Sequence, residues 1–319
     1  MSENPLLQEI FSREMPLLEA VVRKGRKSSI PMIEEITQHV GMGGKKLRSM
    51  VLILAARAAG YEGDLHYRLA ASIEEIHNAT LLHDDIVDHS LLRRGKASVN
   101  AVFGEQAAVL VGDFLYTRAF RVLVEARSFE ILEVLVHASS RLAEGGMMEL
   151  AQMGNYGISE EDCLEIAQRK TAALFAAASE IGAIVAGLDG RKRQGLAHYG
   201  HCLGMAFQIM DDLLDYTGSE KVLGKSAGSD LEEGKPTLPL IRLFACGDPQ
   251  ALALRERLMA KEKVDLAEAL LLLEKNGALG YVRQKADAYA RAACESLGFL
   301  PPSPHVQALA EIAHWTVAR

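Results

Sequence analysis

Asp84, Asp85 and Asp88 stand close together in residues 73–96, which read IEEIHNATLLHDDIVDHSLLRRGK. Ile73, Ile76, Thr80, Val87 and Leu91 recur at steps of three and four, which predicts an amphipathic helix, and Asp84 takes the remaining place in that stripe. Four residues rise about 6 Å and turn slightly more than once, so Asp84 and Asp88 fall on one face. Carboxylates this close repel unless a cation sits between them. Arg93, Arg94 and Lys96 follow around Gly95. Acid, then base, with a glycine that lets the backbone approach, is the chemistry of a site for a metal-bound polyanion. A D-D-x-x-D on a solvated helix face is common by itself. Here apolar neighbours at 79–82 and 86–87 put the carboxylates at the border of a buried region, where charges must be paired or bind a metal.

The spacing repeats. Gln208, Asp211, Asp212 and Asp215 lie in AFQIMDDLLDY, and the spacing predicts that Gln208, Asp211 and Asp215 share a helix face. Gly224-Lys225 and Gly234-Lys235 follow, again glycine beside a cation. Two acidic helices, each trailed by a basic loop, would enclose a cavity with carboxylates on opposing walls. Carboxylates of this kind suit Mg²⁺, a hard ion that takes oxygen ligands and commonly shares substrate phosphates. A third candidate precedes both clusters: GGKKLR places Lys45, Lys46 and Arg48 where a glycine loop opens onto a helix, a plausible anion seat. It is not the phosphate-binding G-x-x-x-x-G-K-[ST] loop, and no strand leads into it.

The elements that must hold these residues are nearly all helical. Alanine and leucine are abundant, β-branched runs are few, and there are only 9 prolines. Periodicity predicts helices over 5–24 (bent or broken near Pro16), 31–40, 47–59 and 104–125, with Asp113 on the last of these. Ser128 caps a further helix running toward Met153, and Ser159 with Asp162 begins another, which carries Lys170 and Thr171 just before an apolar run. Ala/Leu-rich helices follow Pro249, with breaks near Lys261, Asn276 and 298–302. At 319 residues and 49% hydrophobic content the chain can bury a large core. No linker or shift of composition divides it, so a single domain over 1–319 is expected.

A net charge of −7 argues against nucleic acid as a partner, because neutralising its phosphates needs a basic face. Cys163, Cys202, Cys246 and Cys294 are far apart and form no C-x-x-C pair, as expected of reduced thiols in a cytoplasmic protein. No secretory signal is visible at the N-terminus. The longest apolar run, 171–188, is interrupted by Glu180 and reads as a buried helix rather than a transmembrane segment.

On LLHDDIVDHSLLRRGK, GMAFQIMDDLLDY and LGKSAGSDLEEGKPTLPL, the chain resembles the all-trans polyprenyl diphosphate synthases, head-to-tail prenyltransferases, from GGKKLR to Leu240. The resemblance implies an all-α bundle around a deep central cavity, the isoprenoid synthase fold, and a homodimer. It implies that Asp84, Asp88 and Asp211 bind Mg²⁺ on an allylic diphosphate contacted by Arg93, Lys170, Lys225 and Lys235. Lys45, Arg48, His77 and Arg94 would hold isopentenyl diphosphate, with Thr171 and Gln208 near the reacting carbons. Short-chain members tend to carry aromatic residues just before the first aspartates. Ala79 and Thr80 are small, so a long product, octaprenyl or a near relative, is expected. A shorter geranylgeranyl product and a regulatory subunit of a two-protein synthase are the alternatives. Two further rivals are weaker. Glu74-x-x-His77 and Glu311-x-x-His314 match di-iron spacing, but would leave the aspartates and cations unexplained. A class I terpene cyclase usually carries a different second metal motif, N/D-x-x-S/T-x-x-x-E.

Overall fold

A computed structural model describes residues 4–41, 44–93, 95–218 and 227–319. Helix α1 spans Pro5–Gly25, capped by Asn4, whose side chain accepts from the Leu7 N–H at 3.1 Å. It continues through Pro16 without interruption, so the break expected there is absent. A mid-helix proline costs about 3 kcal/mol, whereas Leu7, Ile10, Leu18 and Val22 are all buried on one face. At roughly 1.5–3 kcal/mol for each large apolar side chain, that burial outweighs the lost hydrogen bond.

Next come α2 (Pro31–Gly41), α3 (Leu47–Ala58) and α4 (Leu65–Val87). Almost every residue of α3 is buried, which explains why its sequence has little polar face. Helix α4 is the organising element: it packs on α1, α3 and above all on α6 (Glu105–Ala126), which follows the short α5 (Val99–Phe103). Ile73 and Ile76 are buried as the periodicity predicts, but Val87 and Leu91 are exposed. The stripe stops because the helix does. Asp88 caps it, and His89 adopts a left-handed conformation (φ 49°) that no helix continues. The chain then makes a small antiparallel hairpin, β1 (Leu92–Arg93) on β2 (Lys96–Ala97), turning at Gly95 with φ 74°. This was not anticipated, since two-residue strands carry no periodicity.

Helix α7 (Phe129–Gln152) begins at Ser128, whose hydroxyl accepts from the Ile131 N–H at 3.3 Å. Helix α8 (Glu160–Ala167) starts with the expected Ser159–Asp162 capping box. Residues Gln168–Ala172 form a π-turn that leads into α9 (Ala173–Val185), and the long α10 (Gly190–Thr217) carries the second acidic cluster. The helices beyond it include Ser229–Glu233, Leu238–Ala245, Ala278–Glu295 and Pro304–Ala318. The protein is an all-α helical bundle. Among the described residues no helix is long and apolar enough to cross a membrane.

The residues gather into two compact units. One comprises 1–139, 174–200 and 296–312 and holds the first acidic cluster; the other comprises 140–173, 201–295 and 313–319 and holds the second. In the first unit, Ile36, Ala79, Leu82, Val99, Ala108, Val111 and Leu115 form a core cluster. In the second, Met205, Ile209, Met210 and Leu213 of α10 pack with Ala172, Leu238, Val282 and Ala286.

The first unit also buries charge. Arg26 holds Glu75 through two hydrogen bonds of 2.9 and 3.2 Å. At the start of α4, His66 is wholly buried against Tyr61 and Tyr67, and among the described residues neither ring nitrogen has a hydrogen-bond partner. Burial pushes its imidazole down to about 4; Arg57 adds to this, while Glu14 and Asp64 oppose it. A folded-state value below the unfolded 6.5 means the unfolded chain binds more protons between pH 6.5 and 4. The stabilising contribution is therefore complete above 6.5 and lost as the pH falls toward 4, on the order of 3 kcal/mol in all. His66→Phe should flatten this part of the stability profile in urea unfolding, and an unaltered slope would refute the assignment.

Candidate active site

In the first unit the last turn of α4 presents Asp84 and Asp88 half-buried and Asp85 buried. The Asp88 N–H still donates to the Asp84 carbonyl at 2.8 Å, so the two remain one turn apart as the spacing predicts. Arg93, delivered by the hairpin, grips Asp85 with Nε at 2.6 Å and Nη2 at 2.5 Å. Burial lifts the Asp85 carboxyl above its ordinary range; Arg93 pulls it back, and the charge of Asp88 adds to the lift. The Asn100 side chain donates to the Asp85 and Ser90 carbonyls at 3.2 and 3.0 Å, stitching the hairpin to the helix end. Asp85, Arg93, Lys96 and Asn78 line a cavity of about 340 Å³.

Arg48 and His77, predicted to serve one ligand, are brought together at 3.3 Å, with the Arg48 guanidinium 4.6 Å above the Phe175 ring. Lys45 is exposed, whereas Lys46 turns away to pair with Glu19 at 3.0 Å. Ala79 is wholly buried in the core cluster with Leu82 and Val99, and the Thr80 hydroxyl donates to the His77 carbonyl at 2.8 Å. Arg94 and Lys225 lie outside the described residues. Sequence reasoning missed Tyr116 on α6, whose hydroxyl is pushed up to about 12 by burial, with the charge of Asp84 adding to the shift. Nothing in its spacing marks it.

In the second unit, Lys170 and Thr171 sit on the π-turn, a local widening of the helix that often marks functional positions. The Thr171 hydroxyl donates to Gln208 at 2.6 Å, and the Gln208 amide donates to Asp212 at 2.7 Å. Gln208, Asp211 and Asp215 lie on one continuous helix at the predicted spacing, and Gln208 is in addition tied to Asp212. Lys170 pairs with Glu149, and Lys235 with Glu233 at 2.6 Å. Glu149, Lys170, Gln208, Asp212, Asp230 and Lys235 line a pocket of about 160 Å³. Burial raises the Asp212 carboxyl well above its ordinary range; Asp230 reinforces this and the Gln208 hydrogen bond opposes it. Cys163 borders the same pocket, and burial pushes its thiol up, which disfavours the thiolate.

Asp211 and Asp215 have separate fates. Asp211 is half-exposed and pairs with Arg319 at 2.9 Å; Arg319 in turn stacks 4.2 Å over Phe207 and donates to its carbonyl at 2.8 Å. Asp215 is buried, accepting from the Ser229 hydroxyl at 2.9 Å and the Asp230 N–H at 3.0 Å. Glu149 and Arg319 gave no sequence signal, whereas Asp230 lies inside a stretch already singled out.

Among the described residues no three His, Cys, Asp or Glu side chains converge to hold a metal unaided. In the first unit the half-buried Asp84 and Asp88, one turn apart, are oxygen donors of the kind a hard ion takes while it keeps its waters. The glutamates and histidines of the di-iron reading form no such metal-holding group among the described residues; Glu74 accepts from Ser49, His77 meets Arg48, and Glu311 accepts from Asn4.

Comparison with known proteins follows the same line. The polyprenyl synthetase family model matches residues 30–273. The chain is 42% identical over 316 residues to the octaprenyl diphosphate synthase of Escherichia coli (strain K12), covering 98% of each. A polyprenyl synthase from Caulobacter crescentus CB15, solved with calcium and isoprenyl diphosphate, superposes with a TM-score of 0.94 at 41% identity, over 98% of this chain and 97% of that one. A decaprenyl diphosphate synthase from Rhodobacter capsulatus gives 0.93 at 39% identity, over 98% of both.

The second cluster yields a contrast. Asp215→Ala strands a hydroxyl and a buried N–H, and should lower stability by about 1–3 kcal/mol. Asp211→Ala breaks a part-exposed pair and should cost less than about 1 kcal/mol. Chemical denaturation of the two variants checks this; equal losses would contradict the division of roles.

Proposed function

The chain belongs to the polyprenyl synthetase family, and from that premise we propose that it is a long-chain all-trans polyprenyl diphosphate synthase. It adds isopentenyl diphosphate units in succession to an allylic diphosphate such as farnesyl diphosphate, and the product is octaprenyl diphosphate or a near relative. The observation that carries the reading is the pocket of the second unit, where Lys170 and Lys235 stand beside Gln208, Asp212 and Asp230. It offers cations for a diphosphate next to carboxylates for a counter-ion.

In this reading Asp84, Asp88 and Asp211 hold Mg²⁺ against the allylic diphosphate, while Arg93, Lys170, Lys225 and Lys235 contact its oxygens. Lys45, Arg48, His77 and Arg94 take isopentenyl diphosphate; the close approach of Arg48 and His77 supports that grouping. Mg²⁺, when bound, supplies positive charge to the diphosphate. The lysines and arginines stabilise the leaving group as its carbon–oxygen bond breaks and the electron pair passes to oxygen. The isopentenyl double bond gives its electrons to the allylic carbon, forming the new carbon–carbon bond. A proton then leaves the adjacent carbon for a pyrophosphate oxygen, which restores an allylic diphosphate one unit longer. Thr171 and Gln208, joined at 2.6 Å, offer oriented dipoles near the reacting carbons.

Ala79 and Thr80, five and four residues before Asp84, are small and not aromatic, which supports a long product. Val109, Leu110 and Val124 of α6, with Phe129 and Val136 of α7, lie exposed, which supports contact with a second copy of the chain; light scattering should then give a dimer mass.

The purified chain, given isopentenyl and farnesyl diphosphates with Mg²⁺, should yield a long polyprenyl product sized by chromatography. A product stopping at geranylgeranyl would replace the long-chain reading, and no product from the chain alone would favour a subunit of a two-protein synthase. Asp84→Ala should lower turnover at least about 10²-fold, the scale of removing one fixed electrostatic contributor; near-normal rates would contradict the metal assignment. Ala79→Tyr should shorten the product. Unchanged length by reverse-phase analysis would remove Ala79 from the chain path.

A further inference from the structure

Two adjacent glycines, Gly145 and Gly146, lie within α7, where each weakens the helix relative to alanine. Their surroundings differ. A Cβ on Gly146 would meet nothing within 4 Å. A Cβ on Gly145 would lie 2.6 Å from the Lys170 backbone nitrogen, 2.9 Å from Arg169 Cβ and 3.0 Å from the Arg169 carbonyl carbon. These are backbone atoms and the root of a side chain, which cannot swing aside. The contact falls on the π-turn Gln168–Ala172, where the helix is locally wider than an α-helix.

The same turn is tied down on both sides. Arg169 pairs with Glu144, beside Gly145 on α7, and with Glu165 at 2.6 Å. Lys170 reaches Glu149, one turn further along α7, and Thr171 reaches Gln208. The ion pairs draw the turn onto α7, and the missing side chain at Gly145 sets how near it can come. We propose that Gly145 is a positioning residue for the condensation: it seats the π-turn directly on the α7 backbone and so fixes where Lys170 and Thr171 stand in the pocket. This rests on the reading that Lys170 serves the allylic diphosphate.

The test uses the full-length enzyme and farnesyl and isopentenyl diphosphates. Gly145→Ala should raise the KM for farnesyl diphosphate about tenfold, because small displacements of binding groups carry large penalties. The KM for isopentenyl diphosphate should stay unchanged. Gly146→Ala, in open space, should leave both KM values unchanged and melt no lower than the parent. In a Lys170→Gln background, Gly145→Ala should add less than about twofold to the allylic KM, since both changes act through one group. Normal allylic KM in Gly145→Ala, or its full effect persisting without Lys170, overturns the positioning role alone. An unchanged allylic KM in Lys170→Gln would instead bring down the reading of the pocket, and this proposal with it. If Gly145→Ala does not fold, Arg169→Ala carries the same test by untying the turn from Glu144 and Glu165. It should raise the allylic KM about threefold, and an unchanged value refutes the proposal.

Discussion

Carboxylates crowded at the edge of a low-dielectric core must find positive partners or donors, and that constraint shapes both acidic clusters. Each carboxylate whose partners are described meets it through a cation or through neutral donors. Asp85 is neutralised by Arg93, Asp211 by Arg319, and Glu149 by Lys170. Asp215 is satisfied by a hydroxyl and an N–H, and Asp212 by an amide. The surrounding structure can be understood as the means of delivering those partners. The hairpin after α4 exists to return Arg93 to Asp85, the π-turn to bring Lys170 to Glu149, and the Ser229–Glu233 helix to close on Asp215.

The same pairing bears on binding. A cation that already faces a carboxylate is desolvated and oriented before any diphosphate arrives, so its ordering entropy need not be lost at that moment. In the proposed reading, a metal-bound diphosphate would bring positive ions for the carboxylates and negative oxygens for the lysines and arginines. Its arrival would then exchange partners instead of burying new charge, which avoids the several kcal/mol cost of an unpaired ion. Asp215 accepts from the Ser229 hydroxyl and the Asp230 N–H, and these bonds fix the loop that carries Lys235.

Much of the fold was legible because amphipathic helices announce themselves by period and cap. Ser128 and Ser159 begin helices where their side chains predict, and α3 starts at Leu47 as read. The misreadings have local causes. Pro16 looked like a break because a single-residue rule cannot weigh the buried face on which α1 lies. Val87 and Leu91 looked like core because periodicity cannot see His89 enter the left-handed region. At the site, residue types and spacings were readable. Partners were not: Arg319 meets Asp211, and Glu149 meets Lys170, through folding that joins segments remote in sequence.

Glycine shows why such geometry escapes a reading of letters. Gly145 and Gly146 are the same residue, in the same helix, with the same intrinsic cost, and no pattern separates them. One faces open space and the other faces the peptide backbone of the π-turn. The distinction arises only when α7 and the π-turn are packed together, since a Cβ excludes volume only where another atom already stands. A site that must place a lysine to a fraction of an ångström depends on backbone approach as much as on the lysine itself. Aspartate spacing shows which chemistry a helix can offer, but the position of its cations is decided by the residues small enough to let another helix through.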